Sequence, residues 1–141
     1  FNMGKNKIKI KYDRMFEHRM NEWTQFMFGD DGFYYNRFIC EREARLYKQA
    51  LEDIEKAISL NPYEPIYLCE KGSLELRLRM ADQAIASANK ALIIDSSFAD
   101  AYAILGAAQC VKGNKHEGLL NLERAKGLGY ANADVLIKKY K

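Results

Sequence analysis

The feature that most constrains this chain is a pattern that returns every 34 residues. The copies are KQALEDIEKAISLNP at 48–62, DQAIASANKALIIDS at 82–96 and HEGLLNLERAKGLGY at 116–130. Within each copy two small residues stand seven positions apart with an apolar residue between them, and such positions share one face of a helix. Each copy therefore predicts a helix that a neighbouring backbone can approach closely, with inner faces Ala50, Ile54 and Ala57; Ala84, Ala88 and Ala91; and Gly118, Leu122 and Ala125.

A second helix is predicted before each of these. Its markers also recur at intervals of 34, as Tyr34 with Phe38, Leu68 with Gly72, and Tyr102 with Gly106. The pair Gly113-Asn114 predicts a turn inside the third copy, and Asn61-Pro62 predicts a helix stop after the first. The sequence thus predicts three helix hairpins at about 33–60, 65–94 and 99–128, followed by a short helix at about 131–140.

This period resembles the tetratricopeptide repeat (TPR) family. The similarity is carried by AYAILG with GLLNLERA, by ALEDIEKAISLNP, and by KGSLEL with AIASANKA. It implies an all-α fold: a right-handed superhelical array of about three TPR hairpins (31–64, 65–98 and 99–130) with N-terminal and C-terminal capping helices. Phe38 stands where the family has a small residue, so the packing angle of the first hairpin stays open.

The two ends of the chain do not continue the period in the same way. Residues 1–30 are predicted to form a basic arm, with KIKIKY as a short strand or loose segment, and then an amphipathic capping helix at about 13–28. At the other end, residues 131–141 are predicted to cap the array, with Val135, Leu136 and Tyr140 covering its last face.

Charge and cysteine content limit the kinds of partner. The net charge is +3, and the basic arm alone contributes five basic residues against one acidic residue. Such an arm can touch nucleic acid or an acidic partner, but the rest of the chain lacks the basic stripe of a nucleic-acid binder. Three cysteines without a CxxC motif predict neither a zinc site nor a disulfide framework, and they favour the reducing cytoplasm, with the bacterial periplasm or envelope after leader removal as the alternative.

No catalytic constellation is predicted, and no membrane span, metal or cofactor is expected. Glu52, Asp53 and Glu55 are assigned to the solvent side of an amphipathic helix. GDDG at 29–32 lacks the ligand spacing of a calcium loop, and it predicts a turn between helices. We therefore expect a protein that is not an enzyme.

In the family that the sequence resembles, the first helices of the hairpins line a concave face where an extended peptide commonly lies. The resemblance implies a non-enzymatic protein–protein interaction scaffold that binds a peptide or partner protein there. The residues predicted to face it are Tyr35, Asn36, Ile39 and Arg42; Cys69, Glu70, Ser73 and Arg77; and Ala103, Ala107 and Cys110.

Some members of that family clamp the C-terminal carboxylate of a chaperone with a Lys/Asn/Arg set. In this chain Asn36, Arg42 and Arg77 are the candidates for such a set, whereas Ala103 and Ala107 offer no donor. Three other interpretations stay open. The array can self-associate as a homo-oligomer or dock within a larger protein without a peptide ligand; the chain's own N-terminal segment can fill the groove; or residues 1–30 can serve an enzyme.

Overall fold

The structure is a computed structural model and describes residues 22–141. This part of the chain contains no strand, so the all-α prediction is confirmed for it. The predicted basic arm and most of the predicted capping helix at 13–28 lie outside the described residues. The helices are α1 (Glu22–Glu43), α2 (Tyr47–Leu60), α3 (Pro65–Arg77), α4 (Ala81–Ile94), α5 (Ala99–Val111), α6 (Lys115–Gly127) and α7 (Ala133–Tyr140).

The helices form two compact units, one ending at Pro62 and one covering residues 63–141. The first unit is the hairpin of α1 and α2. The second holds the hairpins α3–α4 and α5–α6, followed by α7. Helices α3, α5 and α7 begin at residues 65, 99 and 133, so their starts are 34 residues apart. Between residues 22 and 141 no helix is long and apolar enough to cross a membrane.

In the first unit, the predicted turn at 29–32 is wrong in extent. Only Gly29 leaves the helical conformation, with φ 73° and ψ 177°, and residues 30–32 are already helical again. Glycine adopts this positive φ without steric cost, so a single residue is enough to kink the helix. The next turn is tied to the end of α2, because Asn61 Nδ2 donates a hydrogen bond of 3.2 Å to Asp31 Oδ2.

The core of the first unit combines one large ring with the predicted small inner face. Phe38, Ala50, Ile54 and Ala57 are all fully buried. The ring of Phe38 therefore fits inside the hairpin although the family has a small residue at this position.

Asp53 does not lie on the solvent side, contrary to the sequence analysis. Its side chain is only 14% exposed, and its Oδ2 lies 3.1 Å from Arg37 Nε. Asp53 follows Ala50 by three residues and precedes Ala57 by four, so it borders the buried face of α2. Glu52 and Glu55 are exposed as predicted.

The second unit confirms both predicted inner faces. Ala84, Ala88 and Ala91 of α4 are fully buried, as are Leu122 and Ala125 of α6. The start of α3 is defined by Pro65 in the first turn and by the Glu64 side chain, which accepts a hydrogen bond of 3.3 Å from the Ile66 N–H.

The closest approach of two helices in this unit is between α5 and α6. A Cβ added to Gly106 would lie 2.6 Å from the carbonyl oxygen of Gly118 and 2.9 Å from Leu122 Cγ. A Cβ added to Gly118 would overlap Cys110 Sγ and lie 2.6 Å from the carbonyl oxygen of Gly106. Glycine at both positions is therefore a packing requirement of this hairpin.

Each hairpin also carries a polar pair at the same register, 12 residues apart in the chain. Ser87 Oγ donates to Glu75 Oε1 at 2.6 Å, and Asn121 Nδ2 donates to Gln109 Oε1 at 2.6 Å. In the first unit the equivalent residues are Glu41 and Asp53, and Arg37 Nε lies 3.4 Å and 3.1 Å from their carboxylates. These contacts satisfy polar groups inside otherwise apolar helix pairs.

Candidate functional site

A groove of about 420 Å³ lies in the second unit, between α3, α5 and α7. Helix α3 contributes Ser73, Leu76 and Arg77, and α5 contributes Ala103, Ile104, Ala107 and Val111. The third side consists of Tyr130 and, from α7, Leu136, Lys139 and Tyr140. This volume lies within the range of ordinary ligand pockets.

The floor of the groove is made of small residues on α5. Ala103 and Ala107 are four positions apart, so they share one helix face, and they are 1% and 5% exposed. On α3, Ser73 and Arg77 have the same spacing, and both are exposed. The helix spacing of these four residues thus opens a small apolar floor beside a polar wall.

The wall formed by α7 is fixed at the start of that helix. Ala133 is 1% exposed, and Asp134 Oδ1 lies 2.9 Å from Lys126 Nζ on α6. Leu136 and Tyr140 are half-buried as predicted, but Val135 is 66% exposed, so its predicted covering role is wrong. Val135 cannot share their face, because it sits one position before Leu136 and is rotated about 100° from it.

The basic end of the groove carries Arg77 in the last turn of α3 and Lys139 in the last turn of α7. Lys139 Nζ lies 5.3 Å from the centroid of the Tyr140 ring. Within residues 29–141, no carboxylate forms an ion pair with either cation, and none of the groove-lining residues is acidic. Both positive charges are therefore available to a bound carboxylate.

Acidic side chains lie near the other end, around Tyr130. Burial, and then the charges of Asp100 and Glu70, raise the pKa of the Tyr130 hydroxyl. Burial, Asp100 and Glu70 also raise the pKa of the Cys69 thiol to about 12. Cys69 is 4% exposed, so its thiol stays protonated beneath the surface at neutral pH.

The predicted residues of the first unit form a separate cluster around Phe38. The Tyr35 ring stacks on Phe38 with centroids 6.1 Å apart, and Arg42 Cζ lies 5.4 Å from the Phe38 centroid. Asn36 Nδ2 donates a hydrogen bond of 3.0 Å to the Gly32 carbonyl, and Ile39 is half-buried.

The structure thus brings together four of the predicted site residues: Ser73, Arg77, Ala103 and Ala107. Glu70 is half-buried on α3, and Cys110 is half-buried on α5 outside the lining, with its thiol pKa raised by burial against the opposing charge of Lys115. Sequence reasoning missed Tyr130 and Lys139 as groove residues. The available signal was the start of α7, which continues the interval of 34 that separates α3 from α5.

Metal chemistry finds little support in the described part of the chain. Between residues 29 and 141 no group of three or more His, Cys, Asp or Glu side chains is arranged to hold a metal ion. Cys40, Cys69 and Cys110 are free thiols.

Comparison with known proteins places this chain among repeat proteins. No protein-family model matches it. It is 32% identical over 96 residues to the small glutamine-rich tetratricopeptide repeat-containing protein 2 of Mycosarcoma maydis, which is 68% of this chain and 27% of that protein. It is 32% identical over 84 residues to the TPR repeat-containing thioredoxin TDX of Arabidopsis thaliana, which is 60% of this chain and 22% of that protein.

The matched region therefore spans about a quarter of the length of these curated relatives. Among solved structures, the first TPR domain of Spaghetti (RPAP3), bound to the HSP90 peptide SRMEEVD, superposes with a TM-score of 0.74 at 22% identity. The superposition covers 80% of this chain and 91% of that one.

Proposed function

Because this chain is a tetratricopeptide repeat protein, we propose that it acts as a non-enzymatic interaction scaffold that holds an acidic segment of a partner protein in the groove of α3, α5 and α7. The observation that carries the proposal is the pairing of a small apolar floor with two cations at one end of the groove.

The shape of the groove suits an extended segment. Ala103 and Ala107 leave room above α5 for the side chains of a ligand, while Leu76 and Leu136 supply apolar contact on either side. A buried apolar contact surrounded by polar groups is where most of the affinity of a protein interface is concentrated.

The charges select the occupant. Arg77 and Lys139 attract a carboxylate, and they repel the chain's own basic N-terminal arm, which the sequence analysis left open as an occupant. Two cations over an apolar floor also lack the extended basic stripe that a nucleic-acid phosphate backbone requires. An acidic protein segment fits both the apolar and the charged part.

The Spaghetti domain supports this assignment, since its HSP90 peptide SRMEEVD contains three acidic residues. The likeness does not extend to the full carboxylate clamp proposed from the sequence. Of its three candidates, only Arg77 lies in this groove, and Asn36 and Arg42 belong to the first unit. The partner-binding roles of Tyr35, Ile39, Cys69 and the other predicted residues stay proposals, as does the cytoplasmic compartment.

The test is selection of random displayed peptides on the full chain, followed by affinity measurement of synthetic copies by fluorescence anisotropy. The groove variant is Arg77→Ala/Lys139→Ala. The matched control is Arg79→Ala/Lys138→Ala, which removes two exposed positive charges that do not line the groove. Circular dichroism checks that helical content is unchanged in both.

We expect the selected peptides to be rich in Asp and Glu and to bind the groove variant about tenfold more weakly or worse, with little change in the control. Equal losses in both double variants would mean that only net charge matters. That result, or selected peptides that ignore all four substitutions, would refute the proposed site.

A further inference from the structure

We propose that the groove recognises two opposite charges on its ligand: a carboxylate at the Arg77–Lys139 end and a cationic group at the Glu70–Asp100 end, about three residues apart in an extended segment. This inference rests on the proposed function and adds a second, cationic requirement to it.

The two ends of the groove differ because its helices run in the same direction. Short turns make α4 antiparallel to both α3 and α5, so α3 and α5 are parallel. Arg77 is the last residue of α3 and Val111 the last of α5, and both line the groove. Asp100 lies instead in the first turn of α5, at the opposite end.

The acidic end belongs to the same groove. Tyr130 lines it, and Asp100 and Glu70 both act on the Tyr130 hydroxyl and on the neighbouring Cys69 thiol. Glu70 also shares one face of α3 with Ser73 and Arg77, at positions i, i+3 and i+7. A ligand that lies along this face passes from the carboxylates to the guanidinium.

Stabilisation of helix ends explains part of this arrangement, because acidic residues favour the first turn and basic residues the last. It accounts for Asp100 and for Arg77. It does not account for Glu70, the sixth residue of α3, which lies beyond the first turn. Glu70 is the residue that makes the face of α3 bipolar along its length.

The spacing on the ligand follows from helix geometry. Glu70 and Arg77 are seven residues apart, which is about 10.5 Å along the helix axis. An extended strand advances about 3.3 Å per residue, so three residues span the same distance. The side chains between the two charges face Ala103 and Ala107, so they are expected to be apolar.

The experiment uses designed peptides with acetylated and amidated ends, so that the charges come from side chains alone. The first peptide, GKALEG, holds Lys and Glu three residues apart; GELAKG reverses their order; GALKEG places them next to each other; and GAALEG lacks the lysine. Affinities are measured by fluorescence anisotropy for the wild-type chain and for Glu70→Gln/Asp100→Asn. A matched control, Glu117→Gln, removes an exposed carboxylate in the first turn of α6.

We expect one of the two three-residue orders to bind about tenfold more tightly than GALKEG, and that order defines the direction of the ligand. Glu70→Gln/Asp100→Asn should weaken that peptide about fivefold and leave GAALEG unchanged, while Glu117→Gln changes neither. The double comparison isolates the contact between the ligand lysine and the acidic end.

The outcomes separate this inference from the proposed function. If GAALEG and the lysine peptides lose the same affinity in Glu70→Gln/Asp100→Asn, or if spacing has no effect, the bipolar reading is wrong. Acidic peptides would then still depend on Arg77 and Lys139. If no acidic peptide depends on those two residues, the proposed function itself fails. A ligand in which a chain terminus supplies one charge is identified by repeating the best order with that end unblocked: a gain of affinity when the charge is moved from side chain to terminus supports the same two-charge site.

Discussion

Substitution of Gly106 by alanine tests the packing of α5 on α6 directly. The added Cβ would lie 2.6 Å from the Gly118 carbonyl oxygen and 3.0 Å from the Leu122 backbone nitrogen. These are backbone atoms, which cannot rotate away, so the helices must separate. Overpacking of this kind costs about 3 kcal/mol at the upper end of its usual range. Alanine returns about 1 kcal/mol through its better helix propensity.

The expected net loss is therefore about 2 kcal/mol of unfolding free energy, or roughly 6–10 °C in Tm for a chain of this length. The assay is thermal and urea unfolding followed by far-UV circular dichroism. The control is Gly127→Ala, at the end of α6, where an added Cβ meets nothing within 4 Å. It should be neutral or slightly stabilising. If Gly106→Ala is as stable as Gly127→Ala, the two helices do not require the close contact described above.

Three further predictions concern the second unit. Arg79, with φ 61°, holds a backbone conformation that favours glycine, so Arg79→Gly should raise stability by about 0.5–1 kcal/mol in urea unfolding, whereas Gly113→Ala, at φ 96° in the next hairpin, should lower it. Ala91→Leu, at a fully buried site, should lower Tm by about 3–10 °C, and Ala86→Leu on the exposed side of the same helix should not; equal effects would contradict the inner face. Because the Cys69 pKa is raised from 9.0 to about 12 in the folded chain, its stabilising contribution is complete below pH 9.0 and is lost as pH rises towards about 12, so unfolding free energy should fall less steeply over this window in Cys69→Ala than in the wild type.

The repeat period was sufficient to predict the helices and their buried faces. Ala84, Ala88 and Ala91 could be assigned because a helix face is fixed by spacing alone, whatever the helix packs against. The starts of α3 and α5 could be predicted for the same reason, since Pro65 and Ala99 keep the interval of 34. The period therefore predicted the local fold well.

Features that depend on pairing between helices could not be predicted in this way. The hydrogen bond between Ser87 and Glu75 exists only once α3 and α4 lie side by side, and neither residue type signals burial in the sequence. Asp53 was assigned to solvent by its charge, although its angular position borders the buried face of α2. The kink at Gly29 depends on one φ angle, which glycine permits but does not require.

The candidate site was predicted in part. Ser73, Arg77, Ala103 and Ala107 were found because the family resemblance assigns the first helix of each hairpin to the binding face. Lys139 was missed because α7 was assigned only a covering role at the end of the array. Its contribution to the groove follows from the packing of α7 beside α5, which no single residue in 131–141 reveals.

The constant interval between α3, α5 and α7 has a consequence for how such a protein can change in length. A duplication of one whole interval would place each new helix against a neighbour of the kind it already meets, because contacts in these arrays are made mainly with adjacent units. Gain or loss of any other number of residues would rotate the buried side of every later helix towards water. Evolution can therefore add or delete complete modules here at small cost, and each added module would lengthen the recognition groove by one more wall.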